Sequence, residues 1–223
     1  MNTERKIRTS EGFTLVELLA VILIIGVVAG LVVAAAGRTT GAKERSQTTT
    51  QLAQTRTAIE VYKDSIGSLP PADNTNPSHF NPLFYELTGV TYIPSTSNPS
   101  DPTLNKYQSR FDAAHELSEA QIRNVFGATK VGFANTKDSG AFLTPSPGQI
   151  AKQTIVGSNP ALGAECYLLR VPARPIDSTT QYNLWHYKVG DPNGHNPTGY
   201  DLWAELRGRK AGETITIGNW SAH

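Results

Sequence analysis

The chain has 223 residues, with 20 Lys and Arg against 19 Asp and Glu, which gives a formal net charge of +1 at pH 7. This near-neutral composition gives no support for a nucleic-acid partner, because proteins that bind nucleic acids usually carry a basic footprint. The single cysteine, Cys166, excludes an intrachain disulfide. The length suits one domain behind an N-terminal anchor.

An apolar run over residues 13–36 dominates the N-terminal part, and Glu17 is its only charged residue. A helix of that length extends for roughly 36 Å, which is enough to cross a bilayer. Residues 1–12 contain three basic and two acidic residues, so the remainder of the chain is formally neutral. A basic flank predicts a cytoplasmic N-terminus. Arg38, Lys43 and Arg45 follow the run and weaken this argument from charge.

Residues 12–17 (GFTLVE) resemble the processing site of type IV pilins and type II secretion pseudopilins. The resemblance implies that residues 1–12 are a leader peptide, that prepilin peptidase cuts between Gly12 and Phe13, and that Phe13 is then methylated. It also implies that Glu17, the fifth residue of the mature chain, neutralises the N-terminal amine of a neighbouring subunit during filament assembly. A charge inside a membrane is costly, so Glu17 requires such a partner.

An ordinary secretory signal peptide is the alternative interpretation of this segment. It would also contain basic residues and an apolar run, and residues 34–36 (AAA) offer a cleavage site after Ala36. However, the run is longer than the usual apolar region of about 7–15 residues, and it contains Glu17. We therefore expect a membrane anchor with pilin-like processing.

Gly26 and Gly30 have the small-xxx-small spacing that lets helices approach closely, and they are the predicted helix-packing residues. Alternatively, they only soften the helix, since each glycine weakens it by about 1 kcal/mol relative to alanine. The resemblance to pilins also implies that the helix is partly unwound in the filament, and Gly26 is the expected place.

The pattern becomes amphipathic after Gly41, with apolar residues at intervals of three and four. It predicts one helix over residues 13–66, which Gly67, Pro70 and Pro71 end. The second half of this helix packs on a globular head through Leu52, Ile59, Tyr62 and Ile66. Residues 62–70 resemble the end of the long helix in the major pseudopilin of type II secretion.

Residues 67–164 are the connecting region of the head, rich in Pro, Ser, Thr and Asn from residue 72 onward. Short helices are predicted over residues 80–87 and 118–126, the latter with Ser118 and Gln121 at capping-box spacing. The corresponding connection in major pseudopilins is shorter. The region is therefore either an insertion that decorates the filament surface or a packed part of the head.

Residues 165–223 have strand-like patterns and predict a C-terminal antiparallel sheet. Residues 200–202 (YDL) and 217–220 (IGNW) resemble the last strands of the major pseudopilin. The predicted fold class is α+β, with a long N-terminal helix, transmembrane in its first half, packed on this small sheet. Asp201 and Glu205 are expected to face solvent or to cap the sheet.

Calcium binds between the last two strands of the family that the chain resembles. Here the equivalent residues 206–213 contain three basic residues and one acid, and calcium requires several oxygen ligands, so no metal is expected. No zinc spacing, nucleophile elbow or P-loop is found, and Cys166 is expected to be a small buried residue. Trp185, Trp203 and Trp220 favour core positions over a sugar site. No enzyme activity or cofactor is predicted.

The sequence thus predicts a structural subunit of a type II secretion pseudopilus, with a type IV pilus subunit as the near alternative. Expected partners are copies of itself, other pilin-like subunits, prepilin peptidase and the inner-membrane assembly platform. The chain is expected to cross the inner membrane once through residues 13–36, with a cytoplasmic N-terminus and a head in the periplasm or on an extracellular filament. A secreted binding protein or enzyme released after Ala36 is the remaining alternative.

Overall fold

The computed structural model describes residues 14–72, 80–127, 132–136, 140–177, 179–208, 210 and 212–220. The chain divides into two compact units, Met1–Lys43 and Glu44–His223, and we call the second unit the head. One helix, α1 (Leu15–Ile66), contributes to both units. The fold is α+β, as the sequence predicts, because an apolar N-terminal helix is followed by short helices and small antiparallel sheets.

The part of α1 that belongs to the head buries a stripe of apolar side chains at helical spacing. Leu52, Ile59 and Tyr62 are at most 1% exposed, as predicted, whereas Ile66 is only partly buried. The helix ends at Ile66, and Gly67 follows with a φ of +87°, a conformation that favours glycine. The predicted end of the helix is confirmed.

The strands form three small antiparallel sheets. In chain order they are β1 (Val90–Ile93), β2 (Lys106–Ser109) and β3 (Glu116–Ser118) in the first sheet, β4 (Ile150–Ile155) and β5 (Ala164–Leu169) in the second, and β6 (His186–Val189), β7 (Tyr200–Arg207) and β8 (Thr214–Gly218) in the third. In the third sheet β7 lies between β6 and β8.

β5, which was expected to be the first strand of the C-terminal sheet, belongs instead to the separate two-stranded sheet. β5 pairs along its whole length with β4, from Ala164 opposite Ile155 to Leu169 opposite Ile150. A single bridge between Arg170 and Leu184 continues toward the third sheet. The sequence places a strand here correctly, but the choice of partner depends on contacts with a segment whose own pattern gave no strand signal.

Two short helices occur in the connecting region. α2 (Leu83–Thr88) begins later than predicted, because Pro82 occupies its N-cap position and the residue before a proline disfavours the helical conformation. α3 (Glu119–Phe126) is confirmed, with a capping box in which the Gln121 N–H donates to Ser118 Oγ at 3.2 Å and the Ser118 N–H donates to Gln121 Oε1 at 2.9 Å.

The described part of the connecting region is packed into the head. Every residue of α2 is buried, and α3 contributes buried side chains to the same core that α1 and the sheets share. The largest fully buried side chains of the connecting region are Leu83, Phe84, Tyr85, Leu87, Leu117, Ile122 and Phe126. These residues are therefore a packed part of the head rather than an insertion that decorates the filament surface.

A buried carboxylate connects this region to α1. Glu86 is 0% exposed, and its side chain accepts hydrogen bonds from the Tyr62 hydroxyl at 2.9 Å and from the backbone N–H groups of Ala134 and Asn135 at 3.1 Å each. The Asn135 side-chain amide donates to the Glu86 carbonyl at 2.8 Å. One side chain thus connects α1, α2 and residues 134–135.

Asp201 was expected to face solvent or to cap the sheet, and it does not face solvent. This carboxylate is 4% exposed and accepts hydrogen bonds from the backbone N–H groups of His195 at 2.7 Å and Asn196 at 3.0 Å. Strand alternation places Asp201 on the outer face of the sheet, but the loop between β6 and β7 folds over it. Asp201 therefore fixes that loop, and Glu205 on the same face remains partly exposed.

Asn219 attaches the C-terminal tail to β7. Its backbone N–H donates to the Leu202 carbonyl at 3.0 Å, and its side chain accepts from the Leu202 N–H at 3.0 Å and donates to the Tyr200 carbonyl at 2.9 Å. Residues 200–202 and 217–220, which carry the resemblance in the tail, therefore contact each other directly.

Candidate membrane and assembly segment

The N-terminal part of α1, residues 15–32, exposes its apolar side chains. Leu15–Val32 is a candidate membrane-spanning segment by length and composition, with a mean hydropathy of 2.9 and none of its residues buried within the structure. In a water-soluble protein such a helix would be covered by other elements. A surface of this kind is typical of a helix that contacts lipid or other helices.

Glu17 and Thr14 form a capping box at the start of this helix. The Thr14 N–H and hydroxyl donate to Glu17 Oε2 at 2.8 and 2.9 Å, and the Glu17 N–H donates to Thr14 Oγ1 at 3.3 Å. The side chains thereby satisfy backbone donors that have no partner within the helix. This capping role was not predicted, although Thr14 followed three residues later by Glu17 is the usual sequence signature of a capping box.

The capping contact leaves part of the carboxylate available. Both bonds from Thr14 reach Oε2, and no described residue donates to Oε1. Glu17 is also the only charged residue within the apolar segment Leu15–Val32. The geometry therefore holds one carboxylate oxygen at the start of the helix, directed by a local contact and able to accept a further donor.

Gly26 and Gly30 lie on open surface of the helix. A Cβ atom added at either position would meet no atom within 4 Å. Beside Gly26, a shallow apolar groove is lined by Leu19, Ile22, Leu23, Gly26 and Val27. Packing within the chain therefore does not require glycine at these two positions, and a neighbouring helix would find them accessible.

Two predicted site residues, Gly12 and Phe13, lie outside the described residues. The structure begins at Thr14, one residue after the predicted cleavage site. The roles given to Gly12, Phe13, Glu17, Gly26 and Gly30 remain predictions, and only the last three can be placed in the structure.

Cys166 and the three tryptophans, which were the candidates for a nucleophile and a sugar site, are each buried or packed against other side chains. Burial raises the pKa of the Cys166 thiol to about 12, which disfavours the nucleophilic thiolate. Trp185 is in the core at 1% exposed, while Trp203 stacks on His186 with ring centroids 5.0 Å apart and Trp220 stacks on His195 at 4.0 Å. Trp203 and Trp220 are each partly buried.

The described residues contain no group of three or more His, Cys, Asp or Glu side chains arranged to hold a metal ion. In the loop between β7 and β8, the only acid is Glu213, and its carboxylate accepts a hydrogen bond from the Lys210 N–H at 2.9 Å. The absence of calcium from this loop stays a prediction.

Comparison with known families gives one match, over residues 7–33, to the family described as the prokaryotic N-terminal methylation motif. The chain carries a type IV pilin-like prepilin signal. The matched segment includes the predicted cleavage site, Glu17 and most of the exposed apolar helix. No curated protein and no solved structure is significantly similar to the chain.

The prepilin signal implies processing by prepilin peptidase and assembly with other pilin subunits. It indicates a structural subunit of a pilus or pseudopilus rather than an enzyme. Together with the exposed apolar helix, it is consistent with anchoring in a membrane.

Proposed function

We propose that the chain is a structural subunit of a type II secretion pseudopilus. In this proposal prepilin peptidase removes residues 1–12, Phe13 becomes the methylated N-terminus, and the apolar helix anchors the subunit in the inner membrane with the head in the periplasm. The observation that carries the proposal is the prepilin signal on the apolar segment Leu15–Val32, none of whose residues is buried within the structure.

Assembly would exchange lipid contacts of Leu15–Val32 for contacts between helices. Because lipid tails are as apolar as leucine side chains, close packing rather than the hydrophobic effect would stabilise the filament. Gly26 and Gly30 would permit that packing, since neither position is filled by the chain's own atoms. The filament core would then consist of the first halves of α1, and the heads would form the surface.

Glu17 would set the register between subunits. Cleavage after Gly12 creates a new amine at Phe13, in surroundings of low dielectric where an unpaired charge is strongly unfavourable. The contact with Thr14 holds the Glu17 carboxylate at the start of the helix, with Oε1 able to accept from an amine. Pairing with the amine of a neighbouring copy would neutralise both charges and favour one stagger of the helices.

The choice of a secretion pseudopilus rests on residues 200–202 and 217–220 in the C-terminal part of the chain. Asn219 bonds to Leu202 and Tyr200, so the two segments that resemble the major pseudopilin form one local structure. The Tyr187 hydroxyl donates to the Pro70 carbonyl at 2.9 Å, which connects the end of the α1 region to β6. We accordingly propose the boundaries 13–66 for the helix, 67–164 for the connecting region and 165–223 for the C-terminal part of the head.

Deleting the gene that encodes the chain tests whether it belongs to a secretion pseudopilus or to a type IV pilus. The proposal predicts that exported proteins accumulate in the periplasm while surface pili and their functions persist, and that a plasmid copy of the wild-type chain restores secretion. Normal secretion with a loss of surface pili would contradict the pseudopilus and support the type IV pilus subunit.

A further inference from the structure

Two basic features that the filament function does not explain come together at one end of the head. The sequence has Arg45 shortly after the apolar run, Arg207 at the end of β7 and Lys210 in the loop between β7 and β8. These segments are about 160 residues apart along the chain. In the structure a third segment, residues 174–175, joins the beginning of the head to the end of β7.

The contacts that join these segments are direct. Arg174 Nε donates to Glu44 Oε1 at 2.8 Å, and Arg207 Nε donates to the Pro175 carbonyl at 2.8 Å. The side-chain amide of Asn183, which is 6% exposed, donates to the Glu205 carbonyl at 2.6 Å. The segments that these bonds join carry Arg45, Arg174, Arg207 and Lys210, and we call these four residues the basic end.

The basic end lies where the chain enters the head from the apolar helix. Glu44 is the first residue of the head unit, and it follows Val32, the last residue of the candidate membrane segment, by 12 residues. Of the four basic residues, Arg174, Arg207 and Lys210 are exposed and Arg45 is partly exposed. Through Glu44, the basic end adjoins the part of the head that follows the membrane segment along the chain.

The acids beside the basic end are engaged by the protein. Glu44 pairs with Arg174, and Glu213 accepts from the Lys210 N–H. The Asp177 carboxylate accepts from the N–H groups of Thr179 and Thr180 at 2.8 and 3.0 Å. No described carboxylate pairs with the side chains of Arg207 or Lys210, so these two cations are available to an external anion.

We propose that the basic end of the head binds the headgroups of anionic phospholipids while the apolar helix is in the membrane. This inference rests on the proposed membrane anchoring. Charge complementarity selects an anionic over a zwitterionic lipid surface, since each basic residue near an anionic membrane contributes attraction within about a Debye length. Contact with lipid holds the head against the bilayer before assembly and is released when the subunit enters the filament.

A fluorophore near the loop measures this contact in the full-length chain. Thr214 is exposed and lies opposite Arg207 on β8, so a Thr214→Cys variant carries the label beside the basic end. The native Cys166 is buried and does not compete for the label. The chain is placed in bilayer nanodiscs of phosphatidylcholine, with or without phosphatidylglycerol, that contain a trace of lipid with a quencher on its headgroup.

The proposal predicts strong quenching with phosphatidylglycerol and weak quenching without it. Arg207→Gln combined with Lys210→Gln should lower the ratio of bound to free heads by about tenfold or more. The matched control, Lys106→Gln combined with Lys152→Gln, removes the same charge from β2 and β4 and should quench as the wild type does. Lys106 and Lys152 each pair with a surface glutamate instead.

Equal quenching in both lipids, or an equal loss in the control variant, would overturn the proposal. Because Arg207→Gln removes the bond to Pro175, salt provides a second measurement on the wild-type loop. High salt should reverse the quenching without altering Trp fluorescence, and quenching that is insensitive to salt would also overturn the proposal. A chain that fails to enter discs of either composition would contradict the proposed membrane anchoring itself.

Discussion

Replacing Glu17 by alanine is expected to leave cleavage and methylation intact and to reduce filament yield about a hundredfold or more. Removing one partner of a buried ion pair costs about 3–5 kcal/mol, and every 1.4 kcal/mol is a factor of ten in an equilibrium constant. The measurement compares the mass of the mature subunit with the amount of sheared, sedimented filament.

Glutamine and Thr14 variants separate the charge of Glu17 from its capping role. Glu17→Gln retains an acceptor at the capping position but loses the charge, so we expect it to reduce filament yield as Glu17→Ala does. Thr14→Ala loses the hydroxyl bond to Glu17 Oε2 but keeps the backbone N–H bond and the charge, and should assemble at near wild-type yield. Filaments at wild-type yield from Glu17→Gln would show that assembly does not need the ion pair and that Glu17 acts only through its capping contact.

Replacing Glu86 by alanine is expected to lower the free energy of unfolding of the head by about 3 kcal/mol or more. The change leaves the Tyr62 hydroxyl and the N–H groups of Ala134 and Asn135 without their acceptor in the core, and each buried unsatisfied group costs about 1–3 kcal/mol. Chemical unfolding of the full-length chain in mild detergent, followed by the fluorescence of buried Trp185, measures the loss.

Two further variants calibrate that result. Glu116→Ala removes a carboxylate whose side chain is 35% exposed and pairs with Lys106 on the surface, and should cost less than about 1 kcal/mol. Tyr62→Phe removes one donor to Glu86 and should cost about 1 kcal/mol. If Glu86→Ala were no more destabilising than Glu116→Ala, Glu86 would not connect the middle of the chain to α1.

Local patterns in the sequence were sufficient to predict the buried face and the end of α1 and the position of α3. The periodicity of Leu52, Ile59 and Tyr62 identifies the buried face of α1, and Gly67 marks its end, because both signals depend on neighbouring residues only. The capping box at Ser118 identifies α3 for the same reason. The equivalent box formed by Thr14 and Glu17 carries an equally local signal, but the functional interpretation of Glu17 concealed it.

Contacts between distant segments could not be predicted in this way. β4 has a mixed pattern with no clear strand signal, so its pairing with β5 was missed. The burial of Asp201 depends on a loop that folds over the sheet, and the burial of Glu86 depends on residues 134–135. Each of these polar groups is buried because a segment outside its own strand or helix supplies its hydrogen bonds, and strand alternation contains no information about that segment.

The mass and N-terminal sequence of the mature protein distinguish pilin-like processing from an ordinary signal peptide. We expect a chain that begins at an N-methylated Phe13, since the prepilin signal covers residues 7–33 and this range includes the proposed cleavage site after Gly12. A chain that begins at Gly37 would mean an ordinary signal peptide released after Ala36. That result would contradict the membrane anchor, the filament and the role of Glu17 together.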